Sequence, residues 1–209
     1  MAGCSPDMKD GLGPRVPIPN VSGSADRDGA AASALDVSVR DPEGNTVVSA
    51  KTDANGSYVL ATPAGTWEVR IKGKLPCDFD SVTRDFVIAG TGERIAIEPM
   101  DIFAYGAGLG APSDLATLAL PTQATPAAFR WRNPARAFSS ARAQLFDSAG
   151  DAVWFSTKSA DSSATWDGTG NQGSGTGSPA PAGAYTWRVK FEFPDTSAAR
   201  TATRRVTFQ

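Results

Sequence analysis

The sequence contains no histidine. That absence removes Ser-His-Asp and Cys-His catalysis, imidazole acid/base steps and His-ligated metals. It has only two cysteines, Cys4 and Cys77. Their separation fits neither a zinc-ligand pattern nor a Cys-x-x-Cys redox pair. No run approaches the roughly 18 apolar residues that a membrane-spanning helix requires. The formal net charge of −2 gives the whole chain no field with which to grip nucleic acid or an anionic membrane surface. Carboxylate pairs such as Asp26 with Asp28, or Asp78 with Asp80, fall in expected loops, where turn roles are commoner than the facing carboxylates of a glycosidase. The sequence therefore predicts a protein that is not an enzyme, with no catalytic residue, no metal site and no cofactor.

What is present is turn chemistry around short apolar runs. Glycine (21) and proline (15) are abundant, while 41% hydrophobic residues suffice for a buried core. The charge is divided: residues 1–120 carry 10 basic and 16 acidic side chains, and residues 121–209 carry 10 and 6. This asymmetry suggests two domains.

Residues 1–16 lack periodicity and read as a flexible leader. Within them Ala2-Gly3-Cys4 resembles the small-small-Cys end of a bacterial lipoprotein processing site, with only Met1 where a signal stretch would stand. The resemblance implies that Cys4 carries the lipid, that the membrane is reached only through this anchor, and that Ser5 permits export to the outer membrane. A Cys4–Cys77 disulfide would compete for the same sulfur, and Cys77 is otherwise expected as a partly buried free thiol.

From residue 17 to 100 the chain reads as seven strands. Leu35, Val37 and Val39 alternate with polar residues, as do Trp67, Val69 and Ile71, and Ile95 with Ile97. Turn clusters at 41–45, 52–56 and 63–65 recur every 8 to 12 residues, which argues a β-sandwich. Asp53 and Asn55 mimic the start of a calcium loop, but its later ligands are missing and a turn is expected. Thr52-Asp53-Ala54-Asn55-Gly56-Ser57-Tyr58 and Pro63-Ala64-Gly65-Thr66-Trp67-Glu68-Val69 resemble the carboxypeptidase regulatory-like, transthyretin-like bacterial modules. That resemblance implies a non-catalytic accessory or adhesion-type domain.

Residues 101–127 shift to Gly, Ala, Pro and Leu and read as a linker, with two helical turns expected from Ser113 to Leu120. The glycines at 106, 108 and 110 lack the Lys-Ser/Thr of a phosphate loop. Strand rhythm returns over 128–209, closing with a strand at 202–208. Phe129 and Trp131 alternate with Arg130 and Arg132, which sends the aromatics to a core and the arginines to solvent rather than to nucleic acid. Trp166-Asp167-Gly168 and Pro181-Ala182-Gly183-Ala184-Tyr185-Thr186-Trp187-Arg188-Val189 resemble immunoglobulin/fibronectin-like modules, including the Ig-like domain of flagellar hook-cap proteins.

The fold class expected is all-β: two tandem β-sandwich modules, 17–100 and 128–209, joined by the linker. Seven glycines and prolines between Gly168 and Pro181 make the loop after Asp167 a long excursion of the functional kind. Asp167, Gly168, Asn171 and Gln172 are expected to face a partner there, with stability nearly indifferent to shortening of the loop. The function expected is that of an extracytoplasmic binding or structural protein of the cell envelope or a surface assembly, with a protein partner. The alternative is a polysaccharide-binding module, to be decided by whether Trp154, Trp166 and Trp187 are exposed.

Overall fold

The computed structural model describes residues 18, 20–75, 79–103, 105 and 108–209. Cys4, Cys77 and the leader lie outside them. The chain is all-β, as the strand spacing predicts. In order the strands are β1 (Val21–Arg27), β2 (Ala30–Ala31), β3 (Asp36–Arg40), β4 (Thr46–Lys51), β5 (Ser57–Leu60), β6 (Gly65–Lys72), β7 (Ser81–Ile88), β8 (Ile95–Ala96) and β9 (Met100–Asp101). Then follow β10 (Leu109–Ala111), β11 (Ala116–Leu118), β12 (Ala127–Trp131), β13 (Ser140–Phe146), β14 (Ala152–Phe155), β15 (Ser163–Trp166), β16 (Gly183–Glu192), β17 (Ala198–Arg200) and β18 (Arg204–Phe208).

One turn design recurs three times. Asp41, Asp53 and Asp147 each open an Asp-x-x-Gly turn in which the backbone N–H of residue i+4 bonds back to the carboxylate. At Asp53, Oδ1 accepts from Asn55 (2.8 Å) and Ser57 (2.9 Å), while Gly56 takes the positive φ of 73°. The side chain thus replaces backbone partners that a tight reversal leaves unpaired. The carboxylate that mimics a calcium ligand is occupied by its own turn.

In the first half, β1 sits centrally between antiparallel β5 and the parallel pieces β8 and β9. Facing it is the antiparallel sheet β4-β3-β6-β7. Val37, Val39, Val69 and Ile71 are fully buried between the two, as the period-2 pattern requires. In the second half, β10-β12-β15 faces a sheet built on β16, whose long strand pairs with β13 along one edge and with β18 and then β17 along the other. Phe129 and Trp131 go to the core while Arg130 and Arg132 are exposed.

The halves are joined. Antiparallel pairing of β17 with β7, Ala199 opposite Val82, makes one ten-stranded sheet that runs through both. Beneath this seam Phe79 stacks on Tyr105 (4.6 Å) and meets Phe103 and Phe191 edge-on at 4.8 and 5.7 Å. Such aromatic pairs add about 0.5–1.5 kcal/mol beyond their buried area. Tyr105 also donates from its hydroxyl to the Arg132 carbonyl at 2.6 Å.

The expected linker at 101–127 is therefore built into both halves: Ile102, Phe103, Tyr105 and Leu109 are buried, and β10 and β11 belong to sheets. The expected helix from Ser113 to Leu120 is replaced by β11, which runs parallel to β18. Leu115 has φ 62°, outside helical space, and two turns between Pro112 and Pro121 are too short to hold a helix when an open strand edge offers backbone partners instead.

Candidate interaction surface

The outer face of the joined sheet has an unusual composition. On β16 the residues pointing away from the core are Arg188, Lys190 and Glu192, and on β13 they are Ser140, Arg142, Gln144 and Phe146. Phe155 of β14 stands opposite Gln144 on the same face. The diagonal pairs meet: the Arg188 guanidinium lies over the Phe146 ring at 4.6 Å and that of Arg142 over Phe155 at 4.8 Å. These cation–π contacts cover rings that would otherwise be wet.

Across the seam the face continues through Arg200 of β17, Thr83 and Asp85 of β7, Glu68 and Arg70 of β6 and Arg40 of β3. Arg200 reaches Glu68 at 3.2 Å, an ion pair between the two halves, and Arg70 holds Asp80 at 2.7 Å. Burial and the neighbouring Arg200 push Arg188 down to about 10, so it stays charged at neutral pH. Burial likewise lowers Lys190. Under the edge of this face Arg84, whose side chain is only 8% exposed, pairs with Asp195 at 2.9 Å, and Arg136 reaches the same carboxylate at 3.0 Å.

The loop expected to face a partner lies beside Phe155. The Asn171 side-chain amide accepts from the Phe155 N–H (2.9 Å) and donates to the Phe155 carbonyl (2.8 Å), so it extends the edge of β14 as a further strand residue would. Gln172 donates from its backbone to Val153 and from its side chain to Asn171. Asp167 Oδ1 accepts from Thr169 N–H at 2.9 Å, and Trp166 Nε1 donates to the Thr169 carbonyl at 2.8 Å. Gly168 has φ 89°, and a Cβ there would strike the Pro121 carbonyl. Backbone bonds Gly170 to Ser178, Gly177 to Gly170 and Ala180 to Gly168 close the excursion on itself. The four residues come together as a docked, hydrogen-bonded loop rather than a loose one, so its shortening is expected to cost stability.

No known family model matches the chain. No curated protein matches it in sequence. Among solved structures it is similar to a DUF3823 family protein from Parabacteroides merdae, at 12% identity and TM-score 0.30, covering 89% of this chain and 96% of that one. It is also similar to CopC from Methylosinus trichosporium OB3b, at 16% identity and TM-score 0.32, covering 49% of this chain and 92% of CopC. A third likeness is to the Bacillus anthracis TIE protein, at 12% identity and TM-score 0.34, covering 90% of this chain but 31% of that protein.

Trp154, Trp166 and Trp187 are 7%, 1% and 0% exposed, so none offers a flat ring for a sugar. Sequence reasoning missed the outer-face arginines. Their alternation within β6, β13 and β16 was visible, but that these strands share a face depends on the β17–β7 pairing, which no local pattern announces. Among the described residues no three metal-binding side chains converge and no helix is long and apolar enough to cross a membrane.

Proposed function

We propose that the chain is a non-catalytic, extracytoplasmic binding or structural protein that holds a protein partner against the outer face of its joined sheet, with the loop at 167–183 flanking the contact. The observation that carries this reading is the composition of the face: arginines and phenylalanines on one sheet that crosses both halves, residue types that protein interfaces favour. Burial of the tryptophans supports a protein over a polysaccharide partner. The transthyretin-like reading of 17–100, the hook-cap-like reading of 128–209 and lipidation at Cys4 belong to the same proposal and rest on their motifs.

Affinity isolation from envelope extracts, with the wild-type chain beside an Arg142→Glu/Arg188→Glu form of unchanged circular dichroism, tests the face. The expected result is one protein captured by the wild type and lost from the variant; equal capture by both would overturn the proposal. For the anchor, the wild type is expected in the membrane fraction and a Cys4→Ser form in the soluble one. Equal soluble recovery of both would end the lipoprotein reading.

A further inference from the structure

A cleft of about 440 Å³ opens on the outer face where it passes from one half to the other, lined by the arginines 40, 70, 188 and 200 and by four acids, Asp41, Glu43, Glu68 and Asp85. Arg200 and Arg70 have carboxylate partners in Glu68 and Asp80. Among the described residues Arg40 and Arg188 are in no ion pair. Arg188 donates from Nε to the neutral amide of Gln144 at 3.0 Å, and Nε of Arg40 and of Arg70 is buried without any acceptor. Two guanidiniums thus line the cleft with no carboxylate at ion-pair distance, and each keeps N–H donors that a carboxylate could accept from.

We propose that this cleft receives an acidic segment of the partner protein, with Arg40 and Arg188 each pairing with one of its carboxylates. The proposal rests on the protein-partner reading above and names the chemistry of that contact. The arginines that line the cleft are borne on four strands, β16, β17, β6 and β3, so an occupant that pairs with both Arg40 and Arg188 reaches across the joined sheet, as a segment does. A single phosphate would need the guanidiniums aimed at one point. Glu43 and Asp85 at the cleft would repel a uniformly charged glycan, whereas a protein segment with spaced carboxylates avoids them.

The test is titration of the full chain with a synthetic octapeptide of alternating Glu and Ala, at low and moderate salt, beside the same peptide carrying Gln for Glu. Inorganic phosphate and tetragalacturonate are run as competing probes. Expected are binding of the Glu peptide alone, weakening with salt, and at least a tenfold loss in an Arg40→Gln/Arg188→Gln form, with Arg205→Gln as an unaffected control. Arg40→Gln alone serves if the double form fails to fold, and is expected to lose at least threefold. Equal binding of the Gln peptide, unchanged affinity in the arginine variants, no binding at all, or tighter binding of phosphate or tetragalacturonate would each overturn the proposal. Envelope capture that still depends on Arg142 and Arg188 beside a failed peptide titration would sink the cleft while leaving the protein-partner reading in place.

Discussion

At the scale of single residues, carboxylates do most of the specifying. Asp53 satisfies two backbone donors of its turn, and an alanine would leave both to solvent or unpaired. Asp53→Ala is expected to cost about 1–2 kcal/mol, and Asp53→Asn, which keeps an acceptor, less than half of that. Chemical denaturation of the two variants checks the order. Asp195 is the more consequential acid. Burial opposes its ionisation, but two hydrogen bonds from Ser197 and the charges of Arg136 and Arg84 outweigh it and hold its carboxyl below the usual range. A carboxylate whose folded value is depressed contributes stability that is present above the unfolded value of about 3.9 and lost as pH falls through the folded value. Denaturation midpoints followed from pH 6 to pH 2 are expected to fall below about pH 4. In Asp195→Asn the midpoint should start lower, because buried Arg84 loses its counter-charge, and part of that acid slope should vanish.

At the scale of elements, period 2 and turn residues made most strands legible, because the sandwich buries alternate side chains and the Asp-x-x-Gly turns mark reversals. What failed were elements whose identity is set from outside their own sequence. Residues 116–118 have a helical composition and become a strand because β18 offers an open edge. Residues 198–200, two alanines and an arginine, carry no strand signal and pair because β7 and β16 lie on either side. The loop at 167–183 looked loose from its glycines, yet Gly168 serves close packing on Pro121 and Asn171 completes the edge of β14. Asn171→Ala is accordingly expected to cost about 0.5–1.5 kcal/mol, because the two Phe155 backbone groups it frees are exposed enough to turn to water. Replacement of residues 170–178 by a tight turn should cost more, and a thermal transition unchanged by either would return the loop to the status of a free excursion.

At the scale of the whole molecule, the account turns on the seam. If the halves were beads on a linker, the outer face would be two small surfaces of uncertain relation. Because β17 pairs with β7, it is one platform on which Arg188 and Arg40 hold a fixed spacing. The opposite charges of the two halves, read from the sequence as a mark of separate domains, meet there in the Arg200–Glu68 ion pair, and Arg84–Asp195 crosses the seam with the signs reversed. The aromatic cluster below the seam draws Phe79, Phe103 and Tyr105 from one side and Phe191 from the other. Calorimetry of Phe79→Ala measures this coupling directly. Loss of the ring should cost about 3–5 kcal/mol. For a chain of this length the account predicts a single unfolding peak, with matching calorimetric and van't Hoff enthalpies, displaced downward by roughly 10 °C as a whole. Two resolved peaks, of which only the one belonging to the first half moves, would contradict it.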